Sequence, residues 1–301
     1  MTRIVANQEQ VYFPRSGAVY RGIKAADVGN GLFVIRQPVR DLVIEDVEVE
    51  SAYRVIENAA ARGEAADCVG LKVANTKASG LRRGFARIRY ASRDGRMSDI
   101  SAEGILTTGA SDLPVGIAFD GHARNFVLER CTMRGFRWKR EARQYWNGDG
   151  YSTERGNRGF VFRQCAAWEN SDGGFDIKSS DTVLDDCVSG HNARNYRLWS
   201  DLRATRLTSI EPAKLGGIGD TNHFSLMGPK ASGAEPLTIQ IEHLVVRSQK
   251  GWPIFDVHDG PVRIIINTHA IDVPPGTPLI RTRGKGSVPG GIRFSSHPPK
   301  L

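Results

Sequence analysis

The sequence has no long apolar run. No stretch approaches the roughly 18 residues that a membrane-spanning helix needs, so no membrane partner is expected. Amphipathic helix is nearly absent too; the best candidate, Ala52–Ala66, is a run of Ala and Glu that serves equally well as loop. Cysteine is scarce, at four residues, and no C-x-x-C pair occurs, which argues against a zinc site. Residues 1–10 contain no apolar run of signal-peptide type. No linker divides the chain, so one domain over 1–301 is expected, with the Pro- and Gly-rich stretch 274–301 as a closing cap or loose tail.

What is present is a repeat. Phe126-Val127-Leu128-Glu129-Arg130-Cys131, Phe160-Val161-Phe162-Arg163-Gln164-Cys165 and Thr182-Val183-Leu184-Asp185-Asp186-Cys187 are short alternating runs, each ending in Cys. A short strand recurring at such intervals cannot bury its apolar face alone and must stack on its neighbours. The expected fold is all-β, a solenoid of parallel strands in which equivalent side chains pile into columns. Period-two runs at Leu42–Val49, Gly84–Tyr90 and Leu237–Val246 extend the pattern, with Gly, Asn, Asp and Ser between them. The 33 glycines suit a chain that turns several times per rung. Cys131, Cys165 and Cys187 are then small core residues, expected as free thiols, although stacked rungs would also allow a disulfide.

Lys and Arg outnumber Asp and Glu by 41 to 33, giving a net charge of +8, and a basic balance favours polyanions. Two irregular stretches stand out, the basic and aromatic Phe136–Trp146 and the Gly- and Pro-rich Lys214–Pro236. Long insertions on a solenoid tend to line one face, often the binding face. Lys214–Pro236 is expected to jut from the coil.

The polar residues concentrate between 145 and 200. Asn147, Asn170 and Asn192 recur at nearly equal intervals, which suggests an Asn ladder at one turn. Asp149 and Asp172 each follow their Asn by two residues and should stack one rung apart, about 4.8 Å, with Asp176 further along the rung. Like charges that close need a cation between them. Calcium, a hard ion taking oxygen ligands, is one solution. Neighbouring arginines are the other. Arg194 occupies the same plus-two position on the third rung, Arg197 lies between Tyr196 and Trp199, and Lys178, His191 and Arg203 are near in sequence. Carboxylates beside guanidinium groups and aromatic rings suit an acidic sugar. The acidic centre argues against nucleic acid.

Three blocks resemble the active-site rungs of family 9 pectate lyases: Asn147-Gly148-Asp149-Gly150-Tyr151, Cys165–Asp176 and Asn192–Leu198. The resemblance is confined to these central rungs. It implies a right-handed parallel β-helix, β-elimination on a uronate polysaccharide, a secreted or periplasmic setting and a monomer. It also implies calcium held by Asp149, Asp172 and Asp176, with Arg197 in place of the catalytic lysine. Were Arg197 only to bind the carboxylate, Lys178, Tyr196 or His191 could be the base, Lys178 first among them. Arg194, Tyr196, His191, Trp199 and Arg203 would bind substrate. The chain departs from the family twice: the second Asp of the Ser-Asp-Asp pair is Gly173, and the lysine is Arg197.

Two other functions fit the same residues. Asp185-Asp186-Cys187 and Gly190-His191 resemble polygalacturonase blocks, which would mean hydrolysis, although Cys187 belongs to the core repeat. A coil that binds carbohydrate without cleaving it is the non-enzymatic alternative, for which the basic segment Arg137–Arg143 is suited.

Overall fold

The computed structural model describes residues 5–6, 11–108, 113–139, 147–215 and 220–299. Among these residues the chain is all-β, and all but one pair of strands join one another in parallel along one long ladder. This is a parallel β-helix solenoid.

The Cys-terminated repeat marks how each rung bends. Val127↔Val161↔Val183 and Leu128↔Phe162↔Leu184 lie in register. The residue before each Cys adopts a left-handed backbone: Arg130 at φ 49°, Gln164 at 50° and Asp186 at 55°. One such residue turns the strand onto the next face, because the left-handed region reverses the pleat. The following Cys then points into the core, where Cys131, Cys165 and Cys187 are buried as free thiols.

A second column fixes the face that matters for function. Tyr151, Phe175, Tyr196, Phe224 and Phe255 stack inside the coil, with ring centroids 4.7, 5.4, 4.9 and 5.2 Å apart. Side chains alternate across a strand, so the residue after each aromatic is directed outward. Ser152, Asp176, Arg197, Ser225 and Asp256 therefore form one outward column. Apolar burial inside aligns the polar groups outside.

Several sequence expectations change. Ala52–Ala66 begins as strand, since Val43–Asn58 is one strand of the ladder; its β-branched and aromatic residues outweigh the Ala and Glu around them. Lys214–Pro236 does not wholly project, because Asn222–Met227 supplies a strand to the coil; Phe224 and Leu226 enter the core there. Residues 216–219 and 140–146 lie outside the described residues, so only Phe136–Lys139 of the basic aromatic stretch is placed. Arg137–Lys139 forms a strand paired with Leu106–Thr108. The segment after 274 adds Ile280–Arg283 and Arg293–Phe294 to the ladder.

Candidate functional site

The Asn ladder has two members rather than three. Asn170 donates to the Asn192 amide oxygen at 2.8 Å, and Asn192 Nδ2 donates to the Ala167 carbonyl at 3.0 Å. Below Asn170 the place belongs to Phe136, whose N–H donates to Asn170 Oδ1 at 2.9 Å. The chain between Phe136 and Asp149 is an insertion, and Asn147 arrives level with Ser171, which donates to its carbonyl at 2.7 Å.

This offset of one residue rearranges the aspartates. Tyr151 pairs with Phe175, so Asp149 lies level with Gly173, not with Asp172. The Gly173 N–H donates to Asp149 Oδ1 at 2.7 Å. A Cβ added at Gly173 would stand 2.8 Å from that oxygen. Asp149, Asp172 and Asp176 are all buried. Burial first, and then the charges of Asp172 and Asp176, push the Asp149 carboxyl well above the ordinary carboxylate range.

The other two aspartates are neutralised by protein cations. Arg194 is ion-paired to Asp172 Oδ1. Arg197 Nη1 lies 3.4 Å from Asp172 Oδ2 and 3.7 Å from Asp176 Oδ2. Lys178 Nζ lies 3.2 Å from Asp176 and 2.6 Å from Glu154. Burial alone would lower the Lys178 ammonium, but Asp176 and Glu154 outweigh it and hold the group above the ordinary lysine range. The Trp199 indole donates to Asp176 Oδ1 at 2.7 Å, and its ring carries the Arg197 guanidinium at 4.8 Å.

These groups do not fit a calcium ion. Calcium takes six to eight oxygens. Here an Asp149 oxygen is taken by the Gly173 N–H, and the oxygens of the other two aspartates face three cations and an indole N–H. Gly173 stands where a further carboxylate would be. Among the described residues no group of three or more acidic, His or Cys side chains is arranged for a metal.

The remaining sequence candidates are dispersed. Tyr196 is fully buried; its hydroxyl donates to the Cys187 and Thr208 carbonyls at 2.9 and 3.0 Å, so it is core and not a substrate contact. Its place in the aromatic column dictates this. His191 packs near Trp168, 6.0 Å between ring centroids, at the corner before the Asn ladder. Arg203 lies on another face, in a groove of about 630 Å³ with Asp181, Asp201, Gln240 and Arg263. Asp185 and Asp186 are strand-surface residues, paired with Arg163 at 2.9 Å and Arg206 at 2.6 Å.

Glu154, Arg155 and a second charged cluster join this face without having stood out in the sequence. Arg155 lies over the Trp199 ring at 5.7 Å. On the same outward column, Asp256 meets Arg281 at 2.7 Å, Arg283 at 3.0 Å and His258 at 3.3 Å. A signal for it existed: Phe175-Asp176-Ile177, Tyr196-Arg197-Leu198, Phe224-Ser225-Leu226 and Phe255-Asp256-Val257 repeat one aromatic, polar, aliphatic triplet.

The fold and site thus define a parallel β-helix with a charged, aromatic-backed column on one outward face. No protein-family model matches the chain, and no curated protein matches it.

Proposed function

We propose that this face binds an acidic polysaccharide and cleaves it by β-elimination at a uronate, as the resemblance to family 9 pectate lyases suggests. The supporting observation is the convergence of Lys178, Arg194, Arg197 and the Trp199 ring around Asp172 and Asp176 on one face. A guanidinium matches a carboxylate in two-pronged geometry, and an indole face packs on a sugar ring.

Elimination needs the uronate carboxylate neutralised, the proton alpha to it removed and the leaving oxygen protonated. In this reading Arg194 binds the carboxylate and acidifies the alpha proton. Arg197 takes that proton while passing one of its own to Asp172, 3.4 Å away, so the guanidinium keeps its charge throughout. The C–H electron pair becomes the C4–C5 double bond, and the C4–O pair leaves with the oxygen. Lys178, held protonated, gives that oxygen a proton. No step requires calcium. The test is ultraviolet absorbance on uronate polymers, which rises as the double bond forms.

One observation favours a second reading, hydrolysis. Asp149, whose carboxyl burial pushes up beside Asp172 and Asp176, resembles the raised member of the carboxyl pair of glycosidases. Against it, Asp149 is only 3% exposed and its oxygen is held by Gly173. The products separate the two, because hydrolysis creates only a new reducing end.

A further inference from the structure

The early rungs carry a second concentration of arginine that the proposed reaction does not use. A pocket of about 400 Å³ is lined by Arg36, Arg54, Arg87, Glu57, Phe13 and Tyr53. Arg54 is only 3% exposed, and Glu57 is its ion-pair partner. Among the described residues its Nε has no hydrogen-bond acceptor, and neither has the buried Nη1 of nearby Arg83. Arg87 is already matched by Asp120 at 2.6 Å. Arg36 lies exposed at the rim, 4.5 Å over the Phe13 ring.

Buried guanidinium donors without acceptors are costly to a fold. Burial first, and then the like charges of Arg87 and Arg83, pull Arg54 down to about 9. An added anion would relieve both penalties. The backbone also leaves little freedom here. Arg54 is in register with Gly31 on one side and Gly84 on the other, beside irregularities in both ladders. A Cβ at Gly84 would strike the Val115 carbonyl, and one at Gly31 would stand 2.9 Å from Glu57 Cβ.

The pocket shares a column with the site described above. From Arg87 the register runs through Ala118, Ser152 and Asp176 to Arg197. Four strand spacings amount to about 19 Å.

We propose that this pocket is an oxyanion-binding site, built around Arg54 with Arg36 at its mouth, that takes a carboxylate such as that of an acidic sugar or an inorganic oxyanion of similar size. Arg54 supplies the buried donor, Arg36 closes over the anion, and Phe13 and Tyr53 wall the ring that carries it. The site does not depend on the elimination reading, since it needs binding and no turnover.

The test is thermal unfolding of the whole chain against sodium sulfate and sodium glucuronate, with sodium chloride at matched ionic strength and glucose as controls. The expected result is a saturable rise in Tm that chloride and glucose do not produce. Arg36→Ala, a surface change that leaves the core intact, should weaken the apparent affinity about tenfold. Arg54→Gln should abolish the part of the rise that Arg36→Ala weakens, and Arg194→Ala, which removes the carboxylate partner of the other site, should preserve that part. A rise with glucuronate alone assigns the site to a sugar carboxylate; a rise with sulfate as well assigns it to oxyanions generally. The proposal is overturned if neither anion exceeds chloride, or if Arg36→Ala binds as the unaltered protein does.

Discussion

Gly173 and Asp149 lie level on adjacent rungs, and the Gly173 N–H donates to Asp149 Oδ1 at 2.7 Å. The glycine is therefore not simply a missing ligand. It supplies a hydrogen bond and leaves the space in which the Asp149 carboxyl sits. On the other side of the same strand, the pairing of Asp176 with Arg197 and of Gly173 with Arg194 brings Asp172 and Asp176 against the two arginines.

Introducing the second Asp of the pectate-lyase pattern with Gly173→Asp should therefore harm the protein. The new side chain meets the Asp149 oxygen and adds a further buried acid. We expect a loss of about 3 kcal/mol, from overpacking and an unmatched buried charge, measured by urea unfolding at pH 7. Unchanged stability together with tight calcium binding would contradict the geometry.

Asp149→Asn should leave the Gly173 hydrogen bond in place and remove a titrating group. The Asp149 carboxyl is raised in the folded protein, so its contribution to stability is full below the unfolded carboxyl range and declines as pH rises towards the folded pKa. The variant should gain on the unaltered protein by about 1.4 kcal/mol per pH unit above pH 4, until the folded carboxyl itself ionises. Unfolding curves from pH 4 to 7 measure this. Elimination should survive the change; loss of activity with the fold intact would favour Asp149 as the acid of a hydrolase.

Asp256 has the opposite sign. Burial alone would raise it, but His258 and Arg281 outweigh that and hold it at about 2. Its contribution is present above the ordinary carboxyl pKa and is lost as pH falls through about 2. Asp256→Asn should lower Tm at pH 5, and the deficit should shrink as the pH approaches 2. A deficit independent of pH would mean that packing, not the ion pairs with Arg281 and Arg283, is what the variant removes.

Substitutions on the outward column separate chemistry from binding. Arg197→Ala should cut turnover about a thousandfold while the polymer still binds through Arg194 and Trp199. Lys178→Gln should also slow the reaction, and more so for substrates with poorer leaving groups. If neither variant alters turnover of an active protein, the roles given to Arg197 and Lys178 are wrong. If no product forms with any variant or with the unaltered chain, while polymer binding persists, the coil is a carbohydrate-binding module.

The fold was legible because its signals are local. The Cys-terminated runs have period two and share a register, and those two facts suffice for a stacked parallel coil. The polar column was half legible. Asp172, Asp176, Arg194 and Arg197 meet, although Arg194 lies level with Gly173 and not, as its spacing suggests, with Asp172; arginine neutralisation was one of two solutions open from the sequence. Asn147 misled because the interval from it to Asn170 only imitates a rung: an insertion precedes Asn147, and an insertion breaks the link between sequence distance and level on the ladder. Tyr196 misled because the residue beside an outward-directed arginine on a strand points to the opposite face. Asp256 lay in the aromatic triplet repeat, which the Asn and Asp motifs overshadowed.

Elimination at the Arg197 face is tested most directly by incubating the purified protein with a panel of uronate polymers, in calcium and in chelator, and following ultraviolet absorbance. Absorbance should rise on at least one polymer, at equal rates in both arms, and the rise should be lost in Arg197→Ala. Absorbance that never rises on any uronate polymer contradicts the lyase; absorbance that rises only with calcium contradicts the cation-neutralised site.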